Sequence, residues 1–137
     1  MAAMSDYLEG EIIKHIFRTG SFTKPTVLAI GLLTAAPSDT GGGTEVTGGS
    51  YARVSVNPLD ANWAAIVGNN GTTSNVSAVT FPAPTANWGT ITHFGIYDAA
   101  SAGNLLFYGA LTTSKTVNNG DAAPSFAGGA LTVQVDN

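Results

Sequence analysis

The chain has 137 residues, of which 10% are charged against roughly 25% in an ordinary soluble domain, and its formal net charge is −4. That length sets one domain with a single core, because a chain of about 150 residues buries roughly 68–70% of its unfolded surface. The scattered basic residues Lys14, Arg18, Lys24, Arg53 and Lys115 argue against nucleic acid, the lack of Cys removes disulfides and thiolate metal sites, and no apolar run reaches the roughly 18 residues that span a bilayer.

The start MAAMSDYLEGE carries acids where a signal peptide needs an apolar stretch, so the chain reads as a soluble protein made without export. A surface this poor in ions is built from Gly, Ser, Thr and Asn, and it loses few hydrated charges when another protein covers it.

Residues 1–20 read as a helical arm. Ser5 or Asp6 can cap, Glu9 stands three residues after Asp6 as in a capping box, and Leu8, Ile12 and Ile16 recur at i, i+4, i+8 beside Ile13 and Phe17. Acids at the start, Lys14, His15 and Arg18 near the end and Gly20 just beyond predict one helix of about three turns. Gly10 weakens it, so its apolar stripe is expected to dock, on its own sheet in preference to a neighbouring subunit.

Residues 21–137 read as a β-sandwich. Residues 26–33 predict a strand with Leu28, Ile30 and Leu32 inward, and residues 35–50, with Gly41-Gly42-Gly43 and Gly48-Gly49, a long loop with a short strand near Val46. Residues 51–56 alternate Ala52, Val54, Val56 against Tyr51, Arg53, Ser55, as a half-buried strand does. Residues 62–67 read as another strand, 68–74 as a loose loop, and 76–81 as a short strand closed by Pro82 and Pro84.

The clearest unit follows. Residues 90–97 and 105–111 are rich in β-branched, aromatic and aliphatic side chains, residues 98–104 between them are turn-formers, and together they predict a β-hairpin whose second strand, apolar on both faces, lies inside a sheet. Residues 112–117 extend it to a turn at Asn118-Asn119-Gly120-Asp121, and residues 130–136 alternate as a last strand with one wet face. Seven or eight short strands with Gly-rich turns give a mainly β, single-domain sandwich, jelly-roll-like, with one short N-terminal helix.

Chemistry finds little purchase. His15 and His93 are far apart on different elements, and the loop acids Asp39, Glu45 and Asp60 lack calcium-loop spacing. On a regular strand His93 shares a face with Ile91, Gly95 and Tyr97 while Asp98 points away, and no nucleophile elbow is present, so no catalytic residue, metal or cofactor is expected. The tripeptides Asn70-Gly71-Thr72 and Asn75-Val76-Ser77 match the glycosylation sequon but lack a secretory context. Trp63 and Trp88, each preceded by Asn, suit a sugar platform, an interface anchor or the core.

Several runs carry a resemblance: Asp6-Tyr7-Leu8-Glu9, Arg18-Thr19-Gly20, TAAPSDTGGGTEVTGGSYAR over 34–53, WGTITHFGIYDA and GNLLFYGAL. Together they resemble a family of small tailed-bacteriophage structural proteins, many labelled as tail fibre, and the chain is also similar to the jelly-roll cement proteins that decorate phage heads. The resemblance implies a virion protein without enzymatic activity, made in the host cytoplasm. Its first expected role is a trimeric cement or decoration protein on the capsid exterior, bridging copies of the major capsid protein. A tail or tail-fibre component is the alternative, and a carbohydrate-binding module using Trp63 or Trp88 the alternative from another class. Contact candidates are Tyr7, Leu8, Ile12, Phe17, Arg53, Trp63 and Trp88, with the Gly-rich segment 35–50.

Overall fold

The computed structural model describes residues 2–66, 68–69 and 71–135. In chain order the elements are β1 (Ala3–Met4), α1 (Asp6–Phe17), β2 (Ala29–Ala35), β3 (Thr44–Glu45), β4 (Val54–Ser55), β5 (Thr72–Ser74), β6 (Val79–Thr80), β7 (Gly89–Tyr97), β8 (Leu105–Val117), β9 (Ser125–Phe126) and β10 (Thr132–Gln134). The fold is mainly β, a single-domain sandwich of antiparallel sheets with one helix. No helix among the described residues is long and apolar enough to cross a membrane.

The predicted hairpin is its centre. β7 pairs with β8 on one side and with β2 on the other, β1 adds to β8, and β3 and β4 both pair with the far edge of β2. The connecting turn is held by Asp98, whose carboxylate accepts from the Asn104 backbone N–H at 2.6 Å and from its side-chain amide at 2.8 Å. Gly103 is required there, since at φ +73° an added Cβ would stand 2.5 Å from Asp98 Oδ1.

The pairing slips once. Ile91 pairs with Lys115 but His93 pairs with Ala110, so residues 111–114 of β8 stand opposite Thr92 alone. This irregularity returns Ile91 to the core beside Phe94 and Ile96 and corrects the expectation that it shares the His93 face, which assumed an unbroken period of two.

A second layer covers the core face. β5 pairs with β10 and β6 with β9, and Val79, Phe81, Phe126, Leu131 and Val133 pack onto Ile30, Leu32, Ile91, Phe94, Ile96 and Val117. These ribbons are two or three residues long, and each of their hydrogen bonds contributes only about 1 kcal/mol net, so burial of side chains at about 1.5–3 kcal/mol each holds them. One end is closed by aromatic rings: Tyr51 stacks on Phe81 at 6.3 Å and meets the edge of Trp88 at 5.3 Å.

Asn75 stitches this layer together. Fully buried, it donates to Ser77 O at 2.8 Å and Ala127 O at 2.9 Å and accepts from Leu131 N–H at 2.8 Å. Its side-chain nitrogen is thus unreachable as a glycan acceptor, while the other sequon begins at Asn70, outside the described residues. Asn75→Ala strands a buried N–H and two carbonyls and is expected to destabilise by about 2 kcal/mol, read as a lower urea midpoint at unchanged slope.

Several expectations are corrected. Of residues 62–66 only Trp63 pairs as a strand does, in a single antiparallel bridge to Asn75 flanked by bonds from Ala64 N–H to Ser74 O and from Val76 N–H to Asn62 O. Before it the segment turns at Leu59, with Asn62 N–H and Trp63 N–H donating to Leu59 O, and side-chain bonds from Asn62 to Asn57 O and from Trp63 to Val56 O hold the turn. Val67 lies outside the described residues. Part of the expected 68–74 loop is β5, invisible in Thr-Thr-Ser because its partner β10 supplies the apolar side chain. Of the 51–56 strand Val54–Ser55 pair with β2, Val56 N–H adds a bond to Leu28 O, and Tyr51, on the face alternating with Ala52, Val54 and Val56, nevertheless packs against the core. The first strand runs Ala29–Ala35 and is buried on both faces from Ala29 to Leu33. In the last strand Leu131 and Val133 face inward, Val135 is exposed, and Asp136 lies outside the described residues.

Candidate functional site

The residues that suggest catalysis do not converge. His93 Nδ1 lies 2.8 Å from Thr92 Oγ1, and Asp98 is occupied in the hairpin turn. Among the described residues no group of three or more His, Cys, Asp or Glu could hold a metal ion. Of the loop acids considered for calcium, Asp39 accepts from the Tyr108 hydroxyl and Glu45 is paired with Arg53. The bond to Asp39, with the carboxylate's charge, pushes Tyr108 up to about 12.

Arg53 is the hub of a cluster that sequence reasoning missed. It grips Glu45 with two parallel bonds, Nε to Oε1 at 2.8 Å and Nη2 to Oε2 at 2.7 Å, and its Nη1 donates to Ala99 O and Ala102 O in the hairpin turn. Its guanidinium carbon lies 3.4 Å from the centroid of Tyr97, and Tyr51 donates to Glu45 Oε1 at 2.8 Å while accepting from Leu32 N–H. Burial works against the charge on Glu45, but hydrogen bonds from Arg53 and Tyr51 and the charge of Arg53 outweigh it and hold the carboxyl below its usual range. Burial pushes the Tyr51 and Tyr97 hydroxyls up. Gly31 makes room, since a Cβ there would stand 2.9 Å from Glu45 Oε1 and 3.0 Å from the Tyr97 ring. As a contact candidate Arg53 is therefore corrected: its side chain is 8% exposed and its donors are turned inward. The readable signal was a Glu and an Arg flanking a Gly-rich reversal, the only such pair in that segment.

Of the two tryptophans, Trp88 is also removed from the surface. It is buried, with Nε1 donating to Gly49 O at 2.9 Å. Trp63 is half-buried and lines an open apolar groove of about 600 Å³ with Leu28, Phe107 and Val133, between the two layers.

The arm behaves in two ways. Ser5 is the helix cap, accepting from Leu8 N–H at 3.3 Å and donating to Leu105 O at 2.5 Å, so the helix start is sewn to β8; Asp6 is the first helical residue. Leu8 is buried and Ile12 half-buried, but Ile13, Ile16 and Phe17 are 53%, 63% and 75% exposed, and Tyr7 is partly exposed. The expectation that the whole stripe docks on its own sheet is thus corrected beyond the first turn. The reason is geometric: Ile13 and Phe17 fall well round the helix from Leu8, and Ile16, although on the row of Leu8 and Ile12, lies a turn beyond them, where exposure of the row rises from buried Leu8 through half-buried Ile12 to Ile16.

Residues 3–134 match the family described as Podophage GP4 fiber I protein gp80. The chain belongs to this family. As a member of a phage structural protein family it has a structural role in the virion, which agrees with a sandwich whose polar clusters tie its own strands together. No curated protein matches the chain.

Proposed function

We propose that this protein is a building block of a phage fibre and works by assembly, not by catalysis. The observation that carries the reading is the outward stripe Ile13, Ile16 and Phe17 on a helix that the fold itself anchors at Ser5 and Leu8. An apolar patch on a rigid element is stable in water only at a cost, and neighbouring subunits remove it. The description of the family as a fibre protein supports placing that assembly in a fibre. Self-association, with a homotrimer as the expected closed form, is part of the same proposal.

Virions carrying an antibody-gold label against this chain decide the location. Label along fibres is the expected result. Label spread over the head faces would overturn the fibre reading in favour of the capsid decoration that the resemblance put first, with the major capsid protein as the partner.

A further inference from the structure

Among the described residues two apolar features on different elements are left without a partner. One is the stripe of α1, in which Ile13, Ile16 and Phe17 follow the i, i+3, i+4 spacing by which amphipathic helices anchor in grooves. The other is the groove of about 600 Å³, where half-buried Leu28, Trp63 and Phe107 are joined by Leu59 and Ile66, 60% and 67% exposed. Its volume lies in the range of sites that enclose a ligand, and its lining is predominantly apolar.

Charge selects the occupant. Asp60 is the one charged residue among the described residues lining the groove, and the end of α1 is basic, with Lys14, His15 and then Arg18 directly after Phe17. Lys14 is neutralised by Glu11 at 2.8 Å, whereas Arg18 makes no ion pair among the described residues. We propose that α1 of one copy seats Ile13, Ile16 and Phe17 in the Trp63 groove of a second copy, with Arg18 facing Asp60.

The proposal rests on the assembly reading above and names its contact. Because helix and groove are different patches, the contact is head-to-tail: it closes into a ring, a trimer among them, or continues as a filament.

Sedimentation of the purified full chain up to about 100 µM tests it, alongside Phe17→Asp in the helix and Ile66→Asp in the groove. Both positions are exposed, so both variants should keep the wild-type circular dichroism and melting; Leu59→Asp replaces Ile66→Asp if that one misfolds. Wild type should associate, and each variant alone should weaken association at least about tenfold. An equimolar mixture of the two should recover a one-to-one dimer and nothing larger, because it retains a single intact helix-and-groove pair.

A monomeric wild type, weakened association in only one of the two variants, or a mixture that stays monomeric would overturn the contact. The two readings fail separately. Fibre label with a monomeric chain removes this contact and the self-association but leaves the fibre, and head label with the mixture result intact removes only the fibre.

Discussion

Phe94→Ala is expected to destabilise the protein by about 4 kcal/mol, the largest effect of any single truncation considered. Phe94 is buried in β7, pairs in register with Leu32 of β2, and meets Phe126 of the second layer edge-on at 6.0 Å. It also lines a hollow of about 320 Å³ with Ile91, Leu111 and Leu131, beside the irregularity in β8. Removing the ring enlarges space that the neighbours already fail to fill, so little of the loss is recovered by collapse. Urea unfolding followed by the fluorescence of buried Trp88 measures it. The neighbouring His93→Ala should cost under about 1 kcal/mol, because His93 is half-buried and its hydrogen-bond partner is the adjacent Thr92. Equal losses for the two would mean that Phe94 is not part of the seam between the layers. Leu111, half-buried at the same hollow, is expected to fall between them.

Arg53→Ala is expected to cost about 3 kcal/mol at neutral pH. The variant leaves Glu45 without its cation, Ala99 O and Ala102 O without their donor, and the face of Tyr97 uncovered. Because the Arg53 side chain joins β3, the chain before β4 and the β7–β8 turn, the loss is felt in three places. Lys at this position should restore little, since an ammonium cannot reproduce the two parallel bonds.

The effect depends on pH with a definite sign. In the folded protein the Glu45 carboxyl titrates below its unfolded value of about 4.3, so its stabilisation is present above that value and is lost as pH falls through the folded one. Wild type should therefore weaken on acidification more steeply than Glu45→Gln. In Arg53→Ala burial is no longer opposed by the cation, so the deficit measured at neutral pH should shrink below about pH 4. A deficit constant from neutral pH to pH 3 would show that Arg53 acts through packing alone.

Local signals were legible where the local chain decides its own conformation. The capping residues, the first-turn acids and the helix of about three turns, the β7–β8 hairpin with its Asp98 turn, and the Asn119-Gly120 turn all follow from residue types at fixed short spacing. Phage-family membership was legible too, because the runs that carry it are contiguous, and residues 3–134 match the family. Segments whose conformation depends on a distant partner were misread. Thr-Thr-Ser becomes β5 only when Val133 is placed against Thr73, and Tyr51 turns inward only because Phe81 and Trp88 provide a socket.

Composition and short-range pattern by themselves determined a mainly β sandwich with one capped helix and a surface poor in charge, and the resemblance of contiguous runs added a place in a phage structural family. Tertiary structure alone decided which apolar side chains are left uncovered and which polar ones are consumed inside. Arg53 and Trp88 looked available and are buried, whereas Ile13, Ile16 and Phe17 looked like core and face outward. The reason is that periodicity reports which residues share a face of their own element, while exposure depends on how many elements arrive to cover that face. One sheet meets α1 at Leu8, and the described chain leaves both the far side and the last turn of the helix exposed.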